Sequence, residues 1–280
     1  MTTTRRSRAL GILAVAGALA FAAAPAHAVG LPSALPAAYT CTGGEIESGT
    51  YTSLKVKGEC SIAADAVVKV LGHVTVDAGA SLDAQSVPST LTVGGNVTGG
   101  AGSFVGLGCQ PPSLTGNSAH ECVGDPEGIS HITVKGNVSV SRAMAVMLNG
   151  ITVNGSVTLS GGGSPIPWSI KNNTINGNLT VKGQRTEWVG VLFNNVRGSV
   201  TLTDIVLSDP HPGAPGVYIV RNTIGGNLSC TKLEPGVSGG FVPGSVTPWT
   251  WMDSCGALIC AICRCACFAA VSPGKLAKTS

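Results

Sequence analysis

The chain has 280 residues, with 17 Lys and Arg against 14 Asp and Glu, 39 Gly, 10 Cys, and only 11% charged and 4% aromatic residues. Three of the 17 basic residues, Arg5, Arg6 and Arg8, fall in an N-terminal segment expected to be removed, so the remainder is formally neutral, 14 against 14. That balance disfavours nucleic-acid binding, which demands a basic excess, and apolar content drawn mainly from Val, Ile, Leu and Ala with few Glu, Lys or Gln reads as all-β.

Residues 1–28 have the layout of a signal peptide: Arg5, Arg6 and Arg8, an apolar run from Ala9 to Ala24, and the cleavage pattern Ala26-His27-Ala28. No Cys lies close behind the apolar run, which argues against a lipid anchor. The expected product is exported, either secreted or associated with the cell envelope.

From residue 29 to 235 the chain repeats a unit of the form apolar-x-Gly-x-(apolar or Cys)-(Ser or Thr)-x, with glycines at Gly58, Gly72, Gly95, Gly136, Gly155, Gly177, Gly198 and Gly226. The steps between them are 14, 23, 41, 19, 22, 21 and 28 residues. A short strand-turn unit recurring at this period is the signature of a β-solenoid. In Val153-Asn154-Gly155-Ser156-Val157-Thr158-Leu159, alternation points Val153, Val157 and Leu159 inward and Ser156 and Thr158 outward. One unit buries too little alone, so parallel units must stack at about 4.8 Å. The glycines are expected where the path turns sharply. Asn173, Asn194 and Asn222 each precede a repeat glycine by four residues, as either a stacked amide ladder or ordinary turn residues. The expected fold is an all-β, single-stranded right-handed parallel β-helix. Its two long steps are loop insertions, around residues 107–128 and 208–216.

These units, with the early Cys pair and the late Ile224-Gly225-Gly226-Asn227-Leu228-Ser229-Cys230, resemble secreted actinobacterial proteins built from serial G-N-V-x-V repeats. The likeness covers about residues 40–232 and is similar in architecture to bactofilin-type and pectate-lyase-type helices. It implies a fold and no activity. The chain departs from those proteins at residues 236–280, a Cys-rich and partly apolar tail.

Export makes disulfides the first reading of the cysteines. Cys41 and Cys60 flank the first strand unit, and Cys109 and Cys122 bracket the first insertion, a closure worth about 3 kcal/mol on a chain-entropy model. The cluster Cys255, Cys260, Cys263, Cys265 and Cys267 contains one C-x-x-C, but the paired ligand sets of a zinc site are not evident. Residues 257–271 are apolar yet short for a spanning helix, which leaves a weak C-terminal membrane association or a simple extension open.

Chemistry is sparse. Asp65, Asp77, Asp83, Asp204 and Asp209 are scattered where a glycosidase needs a facing carboxylate pair. His73, His120, His131 and His211 form no metal or nucleophile motif, and the glycines form no phosphate loop. The sequons at Asn96, Asn137, Asn154, Asn172, Asn178 and Asn227 read as incidental to the repeat. No catalytic residue, metal or cofactor is expected. The reading is a non-catalytic envelope or extracellular structural or interaction protein. The alternatives are a carbohydrate-binding module, for which Trp168, Trp188, Trp249 and Trp251 would line a groove, and a divergent polysaccharide-active enzyme. Cell-wall or extracellular carbohydrate is the partner class considered.

Overall fold

The computed structural model describes residues 35–208 and 216–238, and residues 1–28, most of the tail and Asp209 with His211 lie outside them. Apart from a short helix at Pro112–Thr115 and a 3-10 turn at Gly116–Ser118, its elements are strands. Val, Ile and Leu alternate with Thr and Ser along them. Thus Val157–Ser160 buries Val157 and Leu159 while Thr158 and Ser160 stay partly open.

Successive passes of the chain lay down three strand columns. One pass comprises Thr152–Val153, Val157–Ser160 and Trp168–Lys171, and the next comprises Thr174–Ile175, Leu179–Lys182 and Val189–Leu192. Each strand pairs in parallel with its counterpart one pass away. Parallel neighbours need a long crossover, and here the rest of the pass supplies it. The third column forms a nine-stranded sheet, and the first two belong to one seventeen-stranded sheet. This all-β arrangement of long parallel sheets is compatible with a β-solenoid, although the hydrogen bonds divide it into two sheets.

The register fixes the core. Val93, Val134, Val153, Ile175, Val196 and Ile224 stack in consecutive passes, and all are buried. Each contributes about 1.5–3 kcal/mol by leaving water. Trp168 is also fully buried, its Nε1–H donating to the Met144 carbonyl at 3.1 Å.

The repeat glycines all lie at bends between strands, where the path turns. None of the eight is among the positive-φ residues. Gly72, Gly95, Gly136, Gly155, Gly177, Gly198 and Gly226 form one column, each backbone N–H donating to the carbonyl of the glycine a pass earlier at 2.7–3.0 Å, except that Gly72 donates to Thr52. A Cβ on Gly177 would lie 2.7 Å from the Gly155 carbonyl oxygen and closer still to Ser156 Oγ. Close approach of one pass to the next, and not backbone handedness, excludes a side chain here. Gly58 is outside this column. It follows Gly49–Val56 and precedes Glu59–Ile62, at the corner between the second and third columns, which accounts for the short step of 14 residues to Gly72.

Positive φ occurs at the two corners that flank the third column, on glycines and on seven residues with side chains. Arg142, Gly161, Gly183, Asp204 and Lys232 occupy successive passes of one corner, and Gly150, Asn172, Phe193 and Arg221 occupy successive passes of the other. Strand pairing extends through Val237–Ser238, which pairs with the strand Val217–Val220.

Candidate functional site

Two amide ladders run along the corners. In the first, Asn173, Asn194 and Asn222 are 1–2% exposed. Asn173 Nδ2 donates to Asn194 Oδ1, and Asn194 Nδ2 to Asn222 Oδ1, each at 2.9 Å. The same amides donate to the Leu148, Ile170 and Val191 carbonyls. These contacts satisfy polar groups that burial would otherwise leave costly.

The second ladder was not read from the sequence. Asn96 Oδ1 accepts from the Asn137 backbone N–H, Asn137 Oδ1 from Ser156, Ser156 Oγ from Asn178, and Asn178 Oδ1 from Ser199, at 2.8–3.0 Å. Ser199 Oγ then accepts from Asn227 at 3.1 Å, and His73 Nδ1 begins the series by accepting from Asn96. Four of the six sequon asparagines therefore belong to this ladder, and a fifth, Asn154, accepts from Asn176 Nδ2 one pass on at 3.2 Å. The position of those four directly after a repeat glycine was the available signal.

The disulfide-closed insertion forms a strap across the outer side of the nine-stranded sheet. Cys109 is bonded to Cys122, and Cys41 to Cys60. The Gln110 N–H donates to the His120 carbonyl at 2.7 Å, closing the strap on itself. Lys171 Nζ donates to the Ala119 carbonyl at 2.6 Å, while Ser118 and Asn172 exchange two hydrogen bonds. Burial, then the Lys171 charge, push the His120 imidazole below its ordinary pKa, opposed by Asp83. Burial also lowers the Lys171 ammonium. Asp83 is engaged locally, accepting from the Gln85 and Ser86 N–H groups and the Ser86 hydroxyl. A histidine and a lysine with lowered pKa values are the ingredients of acid-base chemistry. Here the lysine is tied to the main chain beneath the strap, so the arrangement works as a clasp.

The remaining candidates disperse. Asp77 pairs with Lys55 at 3.4 Å, Asp204 pairs with Arg185 at 2.8 Å, and Asp65 is an exposed positive-φ corner residue. His131 is exposed at the start of its strand. Trp168 is in the core and Trp188 packs against Tyr218 with ring centroids 5.1 Å apart, while Trp249 and Trp251 lie outside the described residues. No tryptophan groove forms among the described residues. Nor do three or more His, Cys, Asp or Glu cluster there as metal ligands would.

What the seventeen-stranded sheet does present is a regular polar surface. Thr92, Thr133, Thr152 and Thr174 are in register on its first column, and Thr158, Thr180 and Thr201 on its second. The second amide ladder lies between these rows.

No family model, curated protein or solved structure matches this chain. The likeness to secreted actinobacterial repeat proteins therefore rests on the motifs alone.

Proposed function

We propose that the chain is an exported, right-handed, single-stranded parallel β-helix that acts through its surface as a structural or interaction element of the cell envelope or extracellular space, without catalysing a reaction. Right-handedness follows from the strong preference for that hand in parallel crossovers. Export rests on the N-terminal layout, and the two disulfides are compatible with an oxidising compartment. The observation that carries the reading is how the polar side chains are employed. Asn, Ser and His73 join one pass to the next, and Lys171 is held under the strap that carries His120.

The test is to incubate the chain from residue 29 onward with plant, fungal and bacterial polysaccharides, with and without calcium, while following reducing ends and unsaturated products. The expected result is no turnover. Turnover abolished by a single carboxylate substitution such as Asp83→Asn would overturn the proposal in favour of a polysaccharide-active enzyme.

A further inference from the structure

We infer that the outer face of the seventeen-stranded sheet is a docking surface for an extended anionic polysaccharide of the uronate type, aligned with the stacking direction of the passes. This rests on the surface-acting function proposed above and names its partner.

The formal neutrality of the chain conceals how charge is distributed on this face. Its aspartates Asp77 and Asp204 are consumed by Lys55 and Arg185. Lys69, Lys135, Lys182 and Arg197 are exposed and make no ion pair among the described residues. Glu187, directly after the strand Arg185–Thr186, and Glu234, near the C-terminal end of the described sheet, are acids of this sheet without such a partner there, fewer than the four free cations. Lys135 and Arg197 occupy the same position in passes three apart, with Asn154 and Asn176 between them. At the inter-strand spacing this separates the two cations by about 14 Å. Lys182 lies on the second column, in line with Ser160 and Thr203.

Sparse cations set among continuous rows of hydroxyls and amides complement a polymer with many hydroxyls and one carboxylate per sugar. A nucleic-acid backbone, with phosphates every few ångströms, would call for a denser basic stripe. The cation spacing exceeds the Debye length of about 8 Å at physiological salt, so each acts as a separate, salt-sensitive contact. The threonine rows supply short, conformationally restricted hydroxyls between those contacts.

Binding of the purified chain to immobilised polygalacturonate provides the test, with fully methyl-esterified polygalacturonate as the uncharged counterpart. The expected result is salt-sensitive binding to the acid polymer alone, weakened about fivefold by each of Lys135→Gln, Lys182→Gln and Arg197→Gln. The paired change Thr152→Val with Thr174→Val keeps strand propensity and should weaken binding without altering its salt dependence. Equal binding to the esterified polymer overturns the inference, as does unchanged affinity in the triple Gln variant. Tighter binding to duplex DNA would replace it with general polyanion capture. Absence of binding with the all-β circular dichroism spectrum intact sinks this inference alone, whereas turnover of the polymer sinks the function on which it rests.

Discussion

Asn194 is 1% exposed and makes hydrogen bonds through both ends of its amide. Its Oδ1 accepts from the backbone N–H and Nδ2 of Asn173, and its Nδ2 reaches Ile170 and Asn222. Asn194→Ala would strip partners from several buried groups at once, an expected loss of about 3 kcal/mol in urea unfolding. Asn178→Ala removes one exposed ladder acceptor, which water replaces, and should cost about 1 kcal/mol. Equal losses would show that the buried ladder carries no special weight. At Arg221 the expectation reverses. This residue is exposed at φ +49°, where an L side chain is disfavoured and glycine is not. Arg221→Gly should therefore raise stability by about 0.5–1 kcal/mol, and a lower melting temperature would show that the side chain has a compensating role.

The strap is the element whose stability should depend on pH. Its described neighbours place Lys171 and Asp83 around His120, with burial the largest influence on the imidazole. Because the pKa is lowered in the closed strap, closure binds fewer protons than opening. Its contribution is complete above the ordinary value of 6.5 and is lost as pH falls from there through the lowered value. Below that range the imidazolium must either share its half-buried site with the Lys171 cation or leave it. Hydrogen exchange corrected for intrinsic rates should show protection around Gln110 and His120 falling between about pH 7.5 and pH 5. His120→Gln should flatten that profile, and an unchanged slope in the variant would assign the response to another group. The stacked passes beneath should keep their protection, since the strap crosses them without contributing a strand to either large sheet.

Across the whole molecule, stability is a sum over neighbouring passes, and the end passes have support on one side. At the N-terminal end, Ala37–Cys41 pairs with Gly49–Val56, and the Cys41–Cys60 bond ties this region across 19 residues. Replacing both cysteines by Ala should cost about 3 kcal/mol and release the first strands before the middle of the sheet. Removing Cys109 and Cys122 should loosen the strap while leaving the middle passes protected. Hydrogen exchange on the two double variants separates these outcomes, and uniform loss of protection in both would count against pass-by-pass behaviour. The circular dichroism spectrum should remain all-β throughout.

The alternation of Val, Ile and Leu with Thr and Ser determined the all-β character, because the period of side-chain direction in a strand is written directly in the order of residues. The recurrence of Gly and Asn likewise marked places where passes approach one another. Tertiary structure decided what each recurrence was for. Gly58 matched the repeat motif yet sits at another corner, and the remaining repeat glycines are required by a neighbouring backbone that is distant along the chain. The asparagines at 96, 137, 178 and 227 looked incidental because their partners are residues 19 to 41 positions away, the distance of a full pass. Burial of His120 against Lys171 was equally hidden, for it arises where an insertion folds back over strands that follow it in the chain. Local pattern is encoded in neighbouring residues, whereas register, coverage and the pairing of charges exist only once separate passes have been brought together.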